Sequence, residues 1–381
     1  MTYEKAGVVY ADVDSFKRRA QAEALKTREG NPLARLGFRE ISQSRGESVF
    51  LLESVRRNTF RLAHVEEGLG TKNLVADAMQ NPFNYGAIAQ DTVAMIVNDM
   101  ITLGSFPLSM EMHLAVGSSD WFKDEDRAKS LIAGWLAACR EARCVWGGGE
   151  TPVLKGLVLS ESFVISGSAV GVTKPRVKPM MASRIRLGDH ILLAQSSGVH
   201  ANGLTMCRGI AEKLNKDNNL EWAYRRLLWP SQFGSRVGGP PCFGEALLKP
   251  TPIYVPLVEN LLDAGVDIHY GVNITGHGWR KLMRAPKPFT YRVEALPPDL
   301  PIFRFIQEQG GVEEREMYST FNMGAGFALY VPSKYVKKAE EAGKRWGLFD
   351  AGLVCRSQDG RRRVQIVPKN ILFEEEELNI R

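Results

Sequence analysis

The sequence predicts an α+β protein with two mixed α/β domains. At 381 residues the chain is long for a single hydrophobic core, which makes two domains the expected arrangement. Stretches with the alternation of a strand are interspersed with stretches of helical periodicity, which is typical of mixed α and β layers. The segment 173–179 contains two prolines and no apolar periodicity. We therefore predict a first domain at residues 1–172 and a second domain at residues 173–381.

Strands and helices are mixed in the predicted first domain. Residues 11–28 have the pattern of an amphipathic helix, 124–142 carry an apolar stripe behind an acidic cap, and 85–104 are apolar on almost every side. The stretch 108–116 alternates between polar and apolar residues, as a half-buried strand does. Further strands are predicted at 48–54, 60–65, 144–146 and 157–171.

The predicted second domain continues this mixture. A strand at 191–194 leads through a loop rich in glycine and serine into a helix at 203–215, and residues 216–246 look like an insertion with weak patterning. The remaining predicted elements are helices at 250–264, 300–309 and 333–345 and strands at 326–331, 352–356 and 363–367.

Composition and charge exclude several classes of protein. With 44% hydrophobic and 24% charged residues the chain is ordinary for a globular protein, and no apolar stretch reaches the roughly 18 residues that span a membrane. The N-terminal residues carry neither an apolar signal core nor an arginine-rich leader, so we expect a cytoplasmic protein without a membrane partner. The net charge of +6 is spread out, and no nucleic-acid-binding module is present, so we expect no nucleic-acid partner. A net positive charge is also compatible with a substrate that carries phosphate groups.

The cysteines argue against two kinds of stabilising site. There are five of them, an odd number, and no two are spaced as C-x-x-C. This pattern speaks against both a disulfide framework and a structural zinc site.

The apolar helix predicted at 85–104 carries acidic residues. At about 100° per residue, Asp91 and Asn98 project within roughly 20° of each other, and Asp99 lies roughly 80° further round. Buried carboxylates are costly unless they are paired or bind a metal. Asp91 and Asp99 are therefore either capped and paired structural residues or ligands of a metal ion.

Three glycine-containing segments are candidates for phosphate binding. The turn Glu67-Gly-Leu-Gly-Thr-Lys72 follows a strand, and glycines there would let backbone N–H groups approach an anion while Lys72 supplies a positive charge. Gly147–Thr151 pairs a glycine triplet with an acid, and Ser196–Gly203 opens onto a predicted helix N-terminus. Each segment is also compatible with an ordinary turn.

These segments resemble a known family. The turn at 67–72, Val97-Asn98-Asp99 and Gly148-Gly-Glu-Thr151 are similar to the ATP-binding half of the phosphoribosylformylglycinamidine cyclo-ligases, also called aminoimidazole ribonucleotide synthetases, and of their wider superfamily of ATP-dependent kinases and synthetases. The narrower resemblance rests on segments of the second half, which occur in the family's order: Ser196-Ser-Gly-Val-His-Ala-Asn-Gly203, Leu247-Leu-Lys-Pro-Thr-Pro-Ile-Tyr-Val255, Ile274-Thr-Gly-His-Gly278 and Glu316-Met-Tyr-Ser-Thr-Phe-Asn-Met-Gly-Ala-Gly326.

The resemblance implies ATP and Mg²⁺ as cofactors, a phosphorylated ribonucleotide as substrate, and a homodimer in which two N-terminal sheets pair. The residues implied in catalysis are Lys72, His200 and Asn202. The residues implied in ATP binding are Lys26, Glu67, Gly68, Gly70, Thr71, Lys72, Asn98, Gly149 and Glu150. The residues implied in metal binding are Glu67, Asp91 and Asp99.

Several positions depart from the family pattern. Met112 stands where the family tends to have an aspartate, and Pro252, Asn273 and His277 replace an arginine, a histidine and a glycine. The loop at 36–47 differs from the glycine-rich loop that the family has there. Two alternatives therefore stay open. The protein could be another ATP-dependent kinase or synthetase of the superfamily, or a nucleotide-binding dimer without catalytic activity.

Overall fold

The computed structural model describes residues 33–55, 60–173, 177–215, 220–226 and 242–378, together with residues 2, 4, 5, 14, 18 and 22–26. Much of the helix predicted at 11–28 and much of the insertion at 216–246 lie outside the described residues, although the described residues 14, 18 and 22–26 are helical. None of the described helices is both long enough and apolar enough to cross a membrane.

The first half of the chain forms a six-stranded sheet with helices. Its strands are β1 (Phe38–Glu40), β2 (Phe50–Ser54), β3 (Arg61–Gly68), β4 (Ser105–Val116), β5 (Val145–Glu150) and β6 (Phe163–Thr173), in the spatial order β1-β2-β3-β6-β4-β5. Neighbouring strands are antiparallel except β4 and β5, which are parallel. In the part of this half described from residue 33 onward, the helices are α1 (Asn73–Met79), α2 (Asn84–Met100) and α3 (Glu125–Glu141).

The second half forms a seven-stranded sheet. Its strands are β7 (Asp189–Gln195), β8 (Tyr270–Asn273), β9 (Phe289–Val293), β10 (Ala325–Pro332), β11 (Phe349–Arg356), β12 (Arg363–Ile366) and β13 (Ile371–Glu374), in the order β13-β12-β9-β11-β7-β10-β8. Its helices are α4 (Leu204–Leu214), α5 (Leu220–Tyr224), α6 (Phe243–Leu247), α7 (Val255–Asp263), α8 (Pro301–Gly310), α9 (Glu314–Thr320) and α10 (Val336–Gly343). The predicted α+β fold with two mixed α/β domains is confirmed. The division at residues 172 and 173 stays a prediction.

Helix α2 is buried because it is covered on several sides. It packs against β3 and β6 of the first sheet and against α3, and it also contacts β8 of the second sheet. Ile88, Val93 and Val97 are fully buried, which explains why the sequence is apolar all round the helix. The helix runs into a short 3₁₀ turn and ends at Gly104, whose φ of 76° lies in the left-handed region that glycine tolerates. Because helix α2 is buried, its polar residues Asp91, Asn98 and Asp99 lie in the interior of the protein.

Two predicted elements begin later than expected. The strand predicted at 157–171 begins at Phe163, because the residues before it form turns. The helix predicted at 250–264 begins at Val255. Prolines at 250 and 252 restrict the residues that precede them to extended conformations, so the chain enters this helix late.

Candidate active site

A buried ion pair between Lys72 and Asp91 lies at the centre of the candidate site. Lys72 follows the glycine turn and precedes α1, and Asp91 lies near the middle of α2. Both side chains are fully buried, and Nζ of Lys72 lies 2.7 Å from Oδ2 of Asp91. Burial lowers the pKa of Lys72, whereas the charge of Asp91 opposes this effect. The attraction between the two charges offsets part of the free-energy cost of removing both from water.

A segment of the second half, residues 249–254, completes these contacts; we call it the crossing segment. The Nζ atom of Lys72 donates to the carbonyl oxygen of Lys249 at 3.0 Å. The backbone N–H of Thr251 donates to Oδ1 of Asp91 at 2.8 Å, and the Thr251 hydroxyl donates to the same oxygen. The carboxylate of Asp91 therefore has partners in both halves of the chain.

Asn98 and Asp99 also face the second half of the chain. The Asn98 amide donates to the carbonyl oxygen of Pro252 at 2.9 Å and accepts from the backbone N–H of Tyr254 at 2.8 Å. Oδ1 of Asp99 accepts from the side chain of Asn273 at 2.7 Å. The polar face of α2 that the sequence predicts is thus a docking surface between the two sheets.

His200 lies beside this surface in a strained backbone conformation. Its φ is 63°, a region that few non-glycine residues adopt, and its side chain is buried. Nε2 of the imidazole accepts a hydrogen bond from the backbone N–H of Ser197 at 3.3 Å. Burial, and then the charge of Lys72, lower the pKa of His200 to about 3. An imidazole with so low a pKa accepts protons poorly at neutral pH, so its surroundings favour a positioning role over general-base catalysis.

The burial of His200 makes stability depend on pH. The native imidazole stays neutral down to about pH 3, whereas an unfolded histidine takes up a proton near pH 6.5. The unfolded state therefore binds more protons between these values, and the free energy of unfolding falls as the pH is lowered through 6.5. We expect a loss of about 2 kcal/mol at pH 5 from this residue. Urea unfolding at pH 7 and pH 5 measures it. In His200→Asn, whose asparagine tolerates a positive φ, the pH dependence should be weaker by that amount, and an equal dependence would contradict the assignment.

The loop at 196–203 is held in place by Asn322. Oδ1 of Asn322 accepts from the Ser196 hydroxyl at 2.9 Å, and its amide nitrogen donates to the carbonyl oxygen of Gly198 at 2.7 Å. Asn202, at the end of this loop, places its amide nitrogen 4.0 Å from Sδ of Met95 on α2. The loop predicted to bind an anion is therefore adjacent to the helix predicted to bind ATP and metal.

The glycine turn leaves space above its backbone. Glu67 is half-buried near the end of β3, and Gly68 closes the strand by pairing with Ser166. Gly70 is exposed with a φ of 80°, and apart from its two chain neighbours no heavy atom of the described residues lies within 4 Å of the position that a Cβ would take there. Thr71 is half-buried beside it. The turn has room for an anionic group against its backbone, which fits the predicted ATP phosphates.

Three predicted ATP-binding residues are exposed in this structure. Lys26 is exposed and forms an ion pair with Glu23. Gly149 and Glu150 are exposed on β5, at the edge of the first sheet. A Cβ on Gly149 would lie 2.0 Å from the carbonyl oxygen of Met112, so close strand packing alone accounts for this glycine. The role of these three residues in ATP binding stays a prediction.

The predicted metal ligands are not gathered in one place. Within the described ranges, no group of three or more His, Cys, Asp or Glu side chains is placed to hold a metal ion. Asp91 faces Lys72 and Thr251, and Asp99 faces Asn273. This arrangement does not fit a magnesium site built from Glu67, Asp91 and Asp99, and their role as metal ligands stays a prediction.

Two residues that organise the site had no predicted role. Thr251 and Asn322 lie in segments quoted for the family resemblance, yet nothing in their local sequence indicates a partner. Two prolines flanking Thr251 were the available signal, because they keep the crossing segment extended and its backbone groups free for side chains of α2.

Comparisons with known proteins agree with this architecture. The family described as AIR synthase related protein matches with its N-terminal domain at residues 57–173 and with its C-terminal domain at residues 186–366. Among solved structures, the crystal structure of a HypE-HypF complex superimposes with a TM-score of 0.58 at 18% identity, covering 86% of this chain and 92% of that chain. At that identity the likeness concerns the fold alone.

Curated relatives are similar along almost the whole chain. A phosphoribosylformylglycinamidine cyclo-ligase of Carboxydothermus hydrogenoformans is 33% identical over 373 residues, which is 96% of this chain and 98% of that protein. One of Methanocaldococcus jannaschii is 29% identical over 350 residues, 91% of this chain and 90% of that protein. The similarity therefore covers both halves of the chain, and the protein belongs to the AIR synthase family of phosphoribosylformylglycinamidine cyclo-ligases.

Proposed function

We propose that the protein is an ATP-dependent cyclo-ligase that closes formylglycinamidine ribonucleotide to 5-aminoimidazole ribonucleotide in purine biosynthesis, with release of ADP and phosphate. The observation that carries this proposal is the family match along both halves of the chain. The geometry supports it, because the glycine turn, α2 and the loop at 196–203 meet at one interface. A small phosphorylated ribonucleotide is the substrate implied.

The proposed reaction is a phosphoryl transfer followed by ring closure. The terminal phosphoryl group of ATP goes to the formamide oxygen, the amidine nitrogen bonds to the same carbon, and phosphate leaves that carbon. Backbone N–H groups of the turn at 68–71 would hold phosphate oxygens, with Lys72 and Asn98 as further proposed phosphate contacts. Asn202 would orient the substrate, and His200 would fix the loop that carries Asn202. Mg²⁺ remains a prediction.

The test is a direct assay of the purified full chain. Formylglycinamidine ribonucleotide with ATP and MgCl₂ should give the aminoimidazole product and free phosphate in equal amounts. A phosphorylated product without free phosphate would instead indicate a kinase of the superfamily. Tight ATP binding without turnover would indicate a nucleotide-binding dimer without catalytic activity. Absence of the product at any enzyme concentration would refute the proposal.

A homodimer that pairs the first sheets is the assembly we propose. Strand β6 lies in the middle of its sheet, and α2 packs against one of its faces. On the other face Val164 and Val170 are 52% and 37% exposed, which is unusual for apolar side chains of a central strand. A second copy of the same face would bury them. The predicted cytoplasmic location is compatible with this proposal and stays a prediction.

Charged residues on this face should separate the dimer. We expect the double variant Val164→Lys and Val170→Lys to run at half the native mass in sedimentation analysis, because like charges would meet across the symmetric interface. Ile132→Lys is the matched control, since Ile132 is a similarly exposed apolar residue on α3. A wild-type monomer, or a double variant that stays dimeric, would contradict this interface.

A further inference from the structure

The C-terminus of α3 places two cysteine side chains against each other. The helix ends in a Schellman turn, in which Arg143 has a left-handed φ of 58°. Its N–H donates to the carbonyl oxygen of Arg140 at 3.1 Å, and the N–H of Cys144 donates to the carbonyl oxygen of Cys139 at 3.0 Å. Side chains at the two ends of the longer bond of such a turn are commonly in contact. Here both of them are thiols.

The two thiols differ in exposure and in acidity. Cys139 is buried, whereas Cys144 is half-buried, and Sγ of Cys144 lies 3.7 Å from the carbonyl oxygen of Cys139. The interaction with the neighbouring Cys139 thiol lowers the pKa of Cys144, and the same interaction, together with burial, raises the pKa of Cys139. The more accessible sulfur is thus also the one that more readily becomes a thiolate, which is the nucleophilic form.

We propose that Cys139 and Cys144 form a reversible disulfide, so that this turn is an oxidation site. A disulfide requires Cα atoms roughly 4.4–6.8 Å apart and sulfur atoms that can approach to about 2 Å. Two residues joined by a backbone hydrogen bond, with Sγ of Cys144 only 3.7 Å from the carbonyl oxygen of Cys139, need little movement to meet these conditions.

The reaction balances with hydrogen peroxide as the oxidant. The thiolate of Cys144 attacks one peroxide oxygen, the O–O bond breaks, and hydroxide leaves a sulfenic acid behind. The sulfur of Cys139 then attacks the sulfur of Cys144, the S–S bond forms, and the S–O bond breaks. The proton from Cys139 leaves with the departing hydroxyl group as water. In total the two thiols lose two electrons and two protons, and peroxide is reduced to two molecules of water.

Trypsin gives a sharp test, because it cuts after Arg140 and Arg143 and so separates the two cysteines. Native protein is treated with hydrogen peroxide, the remaining thiols are blocked, and the digest is analysed by mass spectrometry. We expect peptides 130–140 and 144–155 to appear as one disulfide-linked species, lighter by two hydrogen atoms than their sum. Treatment with dithiothreitol should return both reduced peptides.

Matched variants make the assignment specific. Cys144→Ser and Cys139→Ser should each abolish the linked species, whereas Cys355→Ser, which removes another half-buried thiol, should leave it unchanged. Oxidation of Cys144 to a sulfinic acid without any linked species would overturn the proposal. So would a bond from Cys144 to a different cysteine or to a second chain. The experiment measures the mass of a covalently linked pair of peptides, so its outcome does not depend on whether the protein has the proposed cyclo-ligase activity.

Discussion

Replacement of Lys72 by methionine is expected to destabilise the protein by about 3–5 kcal/mol, because it removes one partner of a fully buried ion pair. The carboxylate of Asp91 would keep its bonds from Thr251 but lose its counter-charge. We also expect kcat to fall at least about tenfold, corresponding to about 1.4 kcal/mol of transition-state stabilisation, if Lys72 contributes to phosphoryl transfer. Urea unfolding and steady-state kinetics measure the two effects separately.

Two control variants separate the possible causes. In the double variant Lys72→Met and Asp91→Asn, no buried charge is left alone and the asparagine oxygen can still accept from Thr251, so much of the stability should return. Lys129→Met removes an exposed lysine from a surface ion pair and should change stability by less than about 1 kcal/mol. Unchanged stability in Lys72→Met would mean that the ion pair does not form. Unchanged kcat and unchanged KM for ATP would show that the turn at 67–72 does not bind the phosphates of ATP.

If the charge of Asp99 acts on the bound ATP and its metal, Asp99→Asn should lower kcat at least about 100-fold, or about 2.7 kcal/mol, while the fold stays nearly intact. Asparagine has the same shape, and its amide oxygen can accept the hydrogen bond that Asn273 donates to Asp99. The substitution therefore removes the negative charge alone. Kinetic measurements together with thermal unfolding of the same preparation test this expectation.

The contact to Asn273 supplies the control for this variant. Asn273→Ala removes the partner and leaves the charge of Asp99 in place, so it should lower stability more than Asp99→Asn does. A variant Asp99→Asn that melts many degrees lower, with full activity per folded molecule, would show that this carboxylate is structural.

The sequence predicts elements well where the pattern is local and repeated. Helix α2 is predicted at 85–104 and begins at Asn84, because an apolar stretch of that length has few alternatives. The stretch at 157–162 is apolar enough to read as a strand, yet it forms turns before β6. Periodicity alone does not separate such a short apolar run from a loop packed on the surface.

The site is harder to predict, since its contacts join distant parts of the chain. Lys72 and Asp91 were both expected in a polar site, but as ligands of phosphate and metal rather than as partners of each other. The partner of Asp91 in the second half, Thr251, lies 160 residues further along the chain. No local pattern encodes a contact at that separation. Only the folded arrangement shows that the polar face of α2 is turned toward residues 249–254.

Substitutions should be tolerated unequally on the two sides of the contact between helix α2 and the crossing segment. Side chains on the α2 side contact mainly main-chain groups of the segment, such as the carbonyl oxygens of Thr251 and Pro252 that accept from Gln90 and Asn98. A main-chain group is present whatever side chain its residue carries. Substitution of Gln90 or Asn98 should therefore break a contact between the halves, whereas substitution of Lys249, whose side chain is exposed, should leave its carbonyl contact to Lys72 in place. In these main-chain contacts the deciding side chain belongs to α2, whereas at Thr251 the hydroxyl of the segment itself bonds Asp91.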